Sequence, residues 1–299
     1  MPRVVTPLLF LLLQTVISVR TDLVVVPVTV TDSAGHRVLG LGPDNFRIYE
    51  DGRLRPVTVF LHGDEPVALG VIVDRSRSMR TKDVQLRTAV AALLESSRPD
   101  DQLFGVDFSD DVSLAPAGGQ AFTHDPGELV TALAGVHAEG RTALYDGVAS
   151  GLRHLELAHS QKNALIVVSD GGDNASHETA DQVLALAWRS QAVIYGIALL
   201  SPSPAPGTDE ENPKLLGRLC RDTGGVAYET RTIADIAAVS RQIARDIRDQ
   251  YTLGFAQDKR TDAPAFRKIE VRVSATGQGR LQVRTRSGYL AAPEKKDQP

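Results

Sequence analysis

Hydrophobic and polar positions follow two different periods along this chain of 299 residues. Both ends alternate at every second residue, as Val24, Val26, Val28 and Val30 do, and this period is typical of strands with one buried face. The middle combines short apolar runs with stretches whose apolar residues recur every three or four positions, which is the period of helices packed by one face. The pattern predicts β-structure at both ends and an α/β region between them.

In the middle region the apolar runs predict strands and the helical stripes predict long helices. The predicted strands are 67–73, 102–108, 111–115, 163–169, 193–199 and 225–229. The predicted helices are 82–97, 143–158 and 232–248, and the segment 215–220 is expected to be a helix that ends before Gly224-Gly225. Because strands that alternate with helices build parallel sheets, we predict a doubly wound, mainly parallel sheet with helices on both faces. The close pair 102–108 and 111–115 is expected to form an antiparallel hairpin at its edge.

The alternating segments at the two ends predict a smaller β unit. Asp51-Gly52 lies between two of them and is a strong hairpin signal. Isolated hairpins at each end would leave their apolar faces in water, which is unfavourable. We therefore expect one small β-sandwich, built from strands of both ends, with the α/β domain inserted between them.

The predicted division of the chain has five parts. They are a signal peptide or N-terminal anchor at 1–21, an N-terminal β segment at 22–62, the α/β domain at 66–249, a C-terminal β segment at 250–291 that pairs with 22–62, and a disordered tail at 292–299. The apolar stretch 4–18 has the length of a signal-peptide core and is short for a membrane span. We favour export to the periplasm, cell surface or medium, with cleavage near residues 18–22, and a permanent anchor is the alternative.

Polar side chains follow two of the predicted central strands, and a third polar segment lies between them. Asp74, Ser76 and Ser78 come directly after 67–73, Thr142 lies in the segment Gly-Arg-Thr-Ala-Leu-Tyr-Asp, and Asp170 follows 163–169. Because strand ends of an open α/β sheet converge on one crevice, these residues are expected to meet there. Carboxylate and hydroxyl oxygens suit Mg²⁺ or Mn²⁺. Taken alone, Asp-x-Ser-x-Ser equally suits the start of a helix.

These five residues, in this order, resemble the metal-ion-dependent adhesion site of von Willebrand factor A domains. The resemblance covers about residues 66–249, and the flanking segments are similar to bacterial secreted proteins related to that family. It implies that the hydroxyls bind the metal directly and that the aspartates often act through water. It also implies an exchangeable position on the metal that a Glu or Asp side chain of a partner protein fills.

Five further residues lie close to the motif in sequence, and each has two interpretations. Arg75 and Arg77 form either a cationic rim for acidic partners or ordinary solvated ion pairs. Asp146 either favours the N-terminal dipole of its helix, which we prefer, or supports the metal indirectly. Asp173 and Asn174 either contact a partner or stabilise a turn, and we slightly favour the turn.

Composition and the absence of several sequence motifs restrict the classes of function that the chain can have. The net charge of −4, with scattered arginines, gives no case for nucleic-acid binding, and the single Cys220 excludes an intrachain disulfide. The sequence contains no His-x-x-x-His pair, P-loop, Gly-x-Gly-x-x-Gly or Gly-x-Ser-x-Gly motif. We expect a metal-dependent protein-binding module and not an enzyme. The alternatives are a scaffold or assembly subunit with a structural metal and, less favoured, a metal-dependent hydrolase, which usually places more carboxylates on the ion.

Overall fold

A computed structural model describes residues 23–63, 65–116, 119–134, 137–200, 213–257 and 265–291. The signal peptide or anchor expected at 1–21 and the tail expected at 292–299 lie outside the described residues. Within the described ranges, no helix is both long and apolar enough to cross a membrane.

The described residues form fourteen strands and six α-helices. The strands are β1 (Leu23–Thr31), β2 (Phe46–Glu50), β3 (Arg53–Arg55), β4 (Val59–Leu61), β5 (Val67–Asp74), β6 (Gln102–Phe108), β7 (Val112–Ala115), β8 (Lys162–Ser169), β9 (Val193–Leu199), β10 (Ala227–Thr230), β11 (Tyr251–Ala256), β12 (Ala265–Val273), β13 (Gln282–Thr285) and β14 (Gly288–Ala291). The helices are α1 (Asp83–Leu94), α2 (Pro126–Ala134), α3 (Leu144–Leu155), α4 (Ala180–Arg189), α5 (Pro213–Thr223) and α6 (Ile233–Asp249). A 3₁₀ turn, Arg77–Lys82, precedes α1.

Six strands form the central sheet in the order β10-β9-β8-β5-β6-β7. All neighbours pair in parallel except β6 and β7, which form the expected antiparallel hairpin at one edge. Every residue of β5 is buried, because helices α1, α2 and α6 cover one face of the sheet and α3, α4 and α5 cover the other. The predicted α/β fold class is confirmed.

Strands from the two ends of the chain share two antiparallel sheets. One has the order β13-β1-β11-β4 and the other β14-β12-β2-β3. Their apolar faces enclose one core, which contains Val26, Phe46, Leu253 and Ile269. The hairpin signal at Asp51-Gly52 joins β2 to β3, and both of its residues have positive φ, as a tight two-residue turn requires. The flanking sandwich predicted with the fold class is thus present, while the exact domain boundaries stay predictions.

Some elements differ from the predicted pattern. Helices α2 and α4 were not predicted, because each is short and its apolar stripe spans only two or three turns. The helix expected at 82–97 begins at Asp83, directly after the 3₁₀ turn, and ends at Leu94. Helix α4 begins with a capping box, in which Thr179 and Gln182 satisfy each other's backbone N–H groups.

A buried ion pair between Asp101 and Arg248 lies at the amino-terminal ends of the central strands. The Asp101 carboxylate accepts hydrogen bonds from the backbone N–H of Val67 at 2.9 Å and of Arg98 at 2.8 Å, and from the Arg248 guanidinium of α6. Burial alone would raise its pKa, but the bonds from Arg248 and the two backbone groups outweigh burial and lower it. Asp101 thus joins the start of β5 to the end of α6.

Candidate functional site

Asp74 is the last residue of β5 and is fully buried. Its Oδ1 accepts a hydrogen bond from the backbone N–H of Ser76 at 2.8 Å, and its Oδ2 accepts one from the Ser169 hydroxyl at 2.6 Å. Burial and the nearby charge of Asp170 outweigh these bonds and raise the pKa of Asp74 to about 6. The carboxylate is therefore held in place by neutral donors, and no ion pair with Asp74 occurs among the described residues.

Ser76 and Ser78 lie side by side where the chain leaves β5. Their Oγ atoms are 3.0 Å apart, and Ser76 is buried while Ser78 is half-buried. Neither the 3₁₀ turn nor α1 has a hydrogen bond from a capping side chain at its start. The alternative in which this segment simply caps a helix has no hydrogen bond to support it.

Thr142 lies in a loop that is bonded to three other segments. Arg77 donates its backbone N–H to Gly140 at 3.1 Å, and Ala143 donates to the Ser109 carbonyl at 2.9 Å. The Thr142 backbone exchanges bonds with Asn174, donating to its side-chain Oδ1 at 2.8 Å and accepting from its N–H at 2.9 Å. The loop therefore connects the segment after β5 with the segment after β8.

Asp170 follows β8 and is almost entirely buried. Its Oδ2 accepts an ion-paired hydrogen bond from Lys82 Nζ at 3.1 Å, while its Oδ1 is buried and has no hydrogen-bond partner within the described part of the chain. Lys82 ends the 3₁₀ turn and is itself buried. Lys82 was not predicted as a site residue, because nothing in the local pattern distinguishes it from the exposed Arg80 two residues earlier.

The arrangement of oxygens is compatible with a hard cation. Asp74, Ser76, Ser78, Thr142 and Asp170 lie on three segments at the carboxyl edge of the sheet and offer only oxygen atoms. No group of three or more His, Cys, Asp or Glu side chains suited to a metal occurs in the part of the chain that is described. An ion here would therefore depend on the three hydroxyls, and the buried, unpaired Oδ1 of Asp170 is an oxygen that a cation would satisfy.

The two arginines of the motif lie in different environments. Arg75 is only 2% exposed, and its guanidinium contacts Asp83 at 3.3 Å, while its Nε and one Nη have no hydrogen-bond partner among the residues described. Arg75 is therefore neither an exposed rim residue nor part of a solvated ion pair, because its side chain is buried against Asp83 at the start of α1. Arg77 is exposed, as a rim residue must be.

Asp146, Asp173 and Asn174 connect the loop after β8 to the start of α3. Asp146 accepts bonds from the backbone of His177 and Glu178, so it holds that loop and does not cap its own helix by a hydrogen bond. Asp173 instead accepts the N–H of Tyr145, in the first turn of α3, at 3.0 Å. With the bonds of Asn174 to Thr142, these contacts join the loop to distant segments, whereas the bond from the Ser176 hydroxyl to Asp173 at 2.6 Å is of the local, turn-stabilising kind that we slightly favoured.

Comparison with known proteins relates the chain to others by fold alone. The sequence matches no established protein-family profile and no curated protein. Among solved structures, it is similar to a von Willebrand factor type A protein from Catenulispora acidiphila, with 14% identity, a TM-score of 0.53, and coverage of 83% of this chain and 73% of that one. A conserved hypothetical protein, BatB from Bacteroides thetaiotaomicron, shares 17% identity over 60% of this chain and 98% of its own, with a TM-score of 0.47. The first likeness shows that the chain has a von Willebrand factor A fold.

Proposed function

We propose that the chain is an exported, non-enzymatic protein-binding module whose binding depends on Mg²⁺ or Mn²⁺. The ion would be held by Asp74, Ser76, Ser78, Thr142 and Asp170. The observation that carries this proposal is the buried Oδ1 of Asp170, which has no hydrogen-bond partner among the described residues and lies at the same end of the sheet as the paired hydroxyls of Ser76 and Ser78. A buried carboxylate oxygen without a partner costs free energy, and a cation removes that cost.

The chain's own residues prepare this site in distinct ways. Ser169 and the backbone of Ser76 hold the Asp74 carboxylate, and Asn174 holds the backbone of Thr142. When bound, the ion supplies a Lewis-acidic position open to a carboxylate of a partner protein. Because the protein contributes only two carboxylates against three neutral hydroxyls, an acidic side chain from outside is the complementary ligand.

A second candidate is an assembly or scaffold subunit in which the carboxyl edge has a structural role. The ion pair between Lys82 and Asp170 favours this candidate, because it already supplies a cation inside the crevice. In that case the binding surface would lie elsewhere on the chain, and loss of the crevice charges would affect folding before binding.

A melting experiment tests the metal dependence. We expect the melting temperature of the purified chain to rise by several degrees between EDTA and saturating Mg²⁺ or Mn²⁺, since an ion that binds only the folded state stabilises it by about 3 kcal/mol at a hundredfold excess over its Kd. Asp74→Ala should lose the rise. Glu270→Ala is the control, because that carboxylate pairs with Arg272 on β12 of the flanking sandwich. No rise in the unaltered chain would contradict the proposal.

Peptide display tests the captured group. Peptides selected in Mg²⁺ and eluted with EDTA should contain Glu or Asp, and replacing that residue by its amide should abolish binding. If Asp74→Ala unfolds the chain in EDTA and Mg²⁺ alike, or if it stays folded and still captures the peptides, the assembly candidate replaces the adhesion-type module.

A further inference from the structure

Lys82 places an ammonium group inside the crevice. Its side chain is 7% exposed, that of Asp170 is 1% exposed, and Nζ lies 3.1 Å from Oδ2. The lysine comes from the 3₁₀ turn before α1, whereas the aspartate follows β8, 88 residues later. The fold therefore brings a fixed positive charge to one of the two carboxylates of the crevice.

We propose that Lys82 is an internal cation that competes with the divalent ion for Asp170 and so sets the metal concentration at which the site fills. This inference rests on the proposed function. A Mg²⁺ ion binds oxygens at about 2.1 Å, so an ion on Asp170 would lie within a few ångströms of the ammonium. Two like charges at that separation in a buried site repel strongly, and each weakens the other's hold on the carboxylate.

The position of Lys82 restricts how it can leave. Its side chain is nearly closed off from solvent, and its backbone ends the same 3₁₀ turn that contains Ser78. Withdrawal of the ammonium therefore requires a shift of this turn or of the lysine side chain within it. Metal binding is thus linked to a change at the start of α1.

Another buried lysine shows a purely structural arrangement and serves as a control. Lys162, at the start of β8, is buried, and its Nζ donates to the backbone carbonyls of Gly63 at 3.1 Å and Arg248 at 3.0 Å. It lies at the opposite edge of the sheet from Asp170. Its ammonium joins chain segments and lies away from every residue of the crevice.

The test is the Mg²⁺ dissociation constant, measured by calorimetry on the full chain and its variants. Lys82→Met should bind Mg²⁺ at least about tenfold more tightly than the unaltered chain, because the competing charge is gone. It should also melt at a lower temperature in EDTA, where Asp170 has lost its counter-ion, and recover in Mg²⁺. Lys82→Arg should bind no more tightly than the unaltered chain, and Lys162→Met should keep its affinity.

The outcomes separate this inference from the proposed function. If the unaltered chain binds Mg²⁺ and Lys82→Met binds equally or less tightly, the competition is overturned and the metal site stands. If neither the unaltered chain nor Lys82→Met binds, the proposed function fails and the inference fails with it. If Lys82→Met binds Mg²⁺ and the unaltered chain does not, the result supports competition between Lys82 and the ion.

A second measurement uses the unaltered chain alone, so it does not depend on whether a variant folds. In the unaltered chain, acetylation of Lys82 by an amine-reactive ester, followed by mass spectrometry, should increase when Mg²⁺ replaces EDTA, while acetylation of Lys162 stays constant. Unchanged or reduced reactivity of Lys82 in a chain that binds Mg²⁺ would overturn the inference.

Discussion

Asp74 and Asp101 lie at opposite ends of strand β5, Asp74 at its carboxyl end and Asp101 beside its amino end. Their exposed fractions are 0% and 1%. Asp101 receives two backbone N–H groups and the Arg248 guanidinium, and its pKa is lowered. Asp74 receives one backbone N–H and one hydroxyl beside a second carboxylate, and its pKa is raised to about 6. Similar solvent exposure therefore accompanies opposite pKa shifts, because Asp74 lies deeper in the protein beside a second carboxylate, whereas Asp101 has a guanidinium partner.

The difference separates a structural acid from one kept for a ligand. A buried carboxylate with its own guanidinium stabilises the ionised form and fixes the segments around it. A buried carboxylate without a counter-charge destabilises the metal-free protein, and binding of a cation beside it removes that destabilisation. Substitutions at Asp101, Asp74 and Arg77 test this distinction, and we expect their effects to decrease in that order.

Asp101→Asn should cause the largest loss of stability. The free energy of unfolding should fall by about 3 kcal/mol, because the Arg248 guanidinium loses its counter-ion in a partly buried site. The loss should be the same in EDTA and in Mg²⁺, measured by urea denaturation. Asp110→Asn, at an exposed pair with Arg141, is the control and should change stability by less than about 1 kcal/mol. An equally small loss at Asp101 would show that it is not a structural acid.

Asp74→Asn should have an intermediate effect on the free energy of unfolding, and this effect should depend on pH. In EDTA, between pH 3.8 and 6, the unfolded chain has released the Asp74 proton while the folded chain retains it, so stability falls as pH rises. The fall should be on the order of 2 kcal/mol. It should be missing in Asp74→Asn, which we expect to be at least as stable as the unaltered chain at pH 7.5.

Urea denaturation at several pH values provides this measurement, taken as the difference between the unaltered chain and Asp74→Asn. If that difference is flat between pH 4 and 6, or if Asp74→Asn costs as much as Asp101→Asn, then Asp74 is a structural acid too.

Arg77→Ala should have the smallest effect. The side chain is exposed, so stability should change by less than about 0.5 kcal/mol and Mg²⁺ affinity should stay the same. Association with an acidic peptide selected in Mg²⁺ should slow by a few-fold at low salt and become indistinguishable at high salt. A change in Mg²⁺ affinity would place Arg77 at the ion instead of at the rim.

The sequence predicted the strands that frame the crevice closely, because each is a long apolar run. The predicted 67–73 and 163–169 correspond to Val67–Asp74 and Lys162–Ser169. Periodicity does not report on side-chain direction next to a strand end, so the inward turn of Arg75 could not be predicted. The pairing of Lys82 with Asp170 spans 88 residues and depends on tertiary packing alone.

The start of α3 illustrates the same limit. An aspartate in the first turn of a helix usually acts on that helix, and Asp146 was expected to do so. Asp146 does lie in that turn, but the backbone N–H of Tyr145 there donates its hydrogen bond to Asp173, 28 residues further along, and Asp146 accepts bonds from the loop that follows Asp173. Two acids thus stabilise each other's segments, and only the folded chain brings those segments together.

The loop around Thr142 has a consequence for the thermodynamics of binding. Its backbone is already bonded to the segments of Arg77, Ser109 and Asn174. The conformational entropy of this loop is therefore lost when the chain folds, and little remains to be lost when a ligand arrives. Replacing Asn174 would return that freedom to the loop and weaken binding without removing a single oxygen from the crevice.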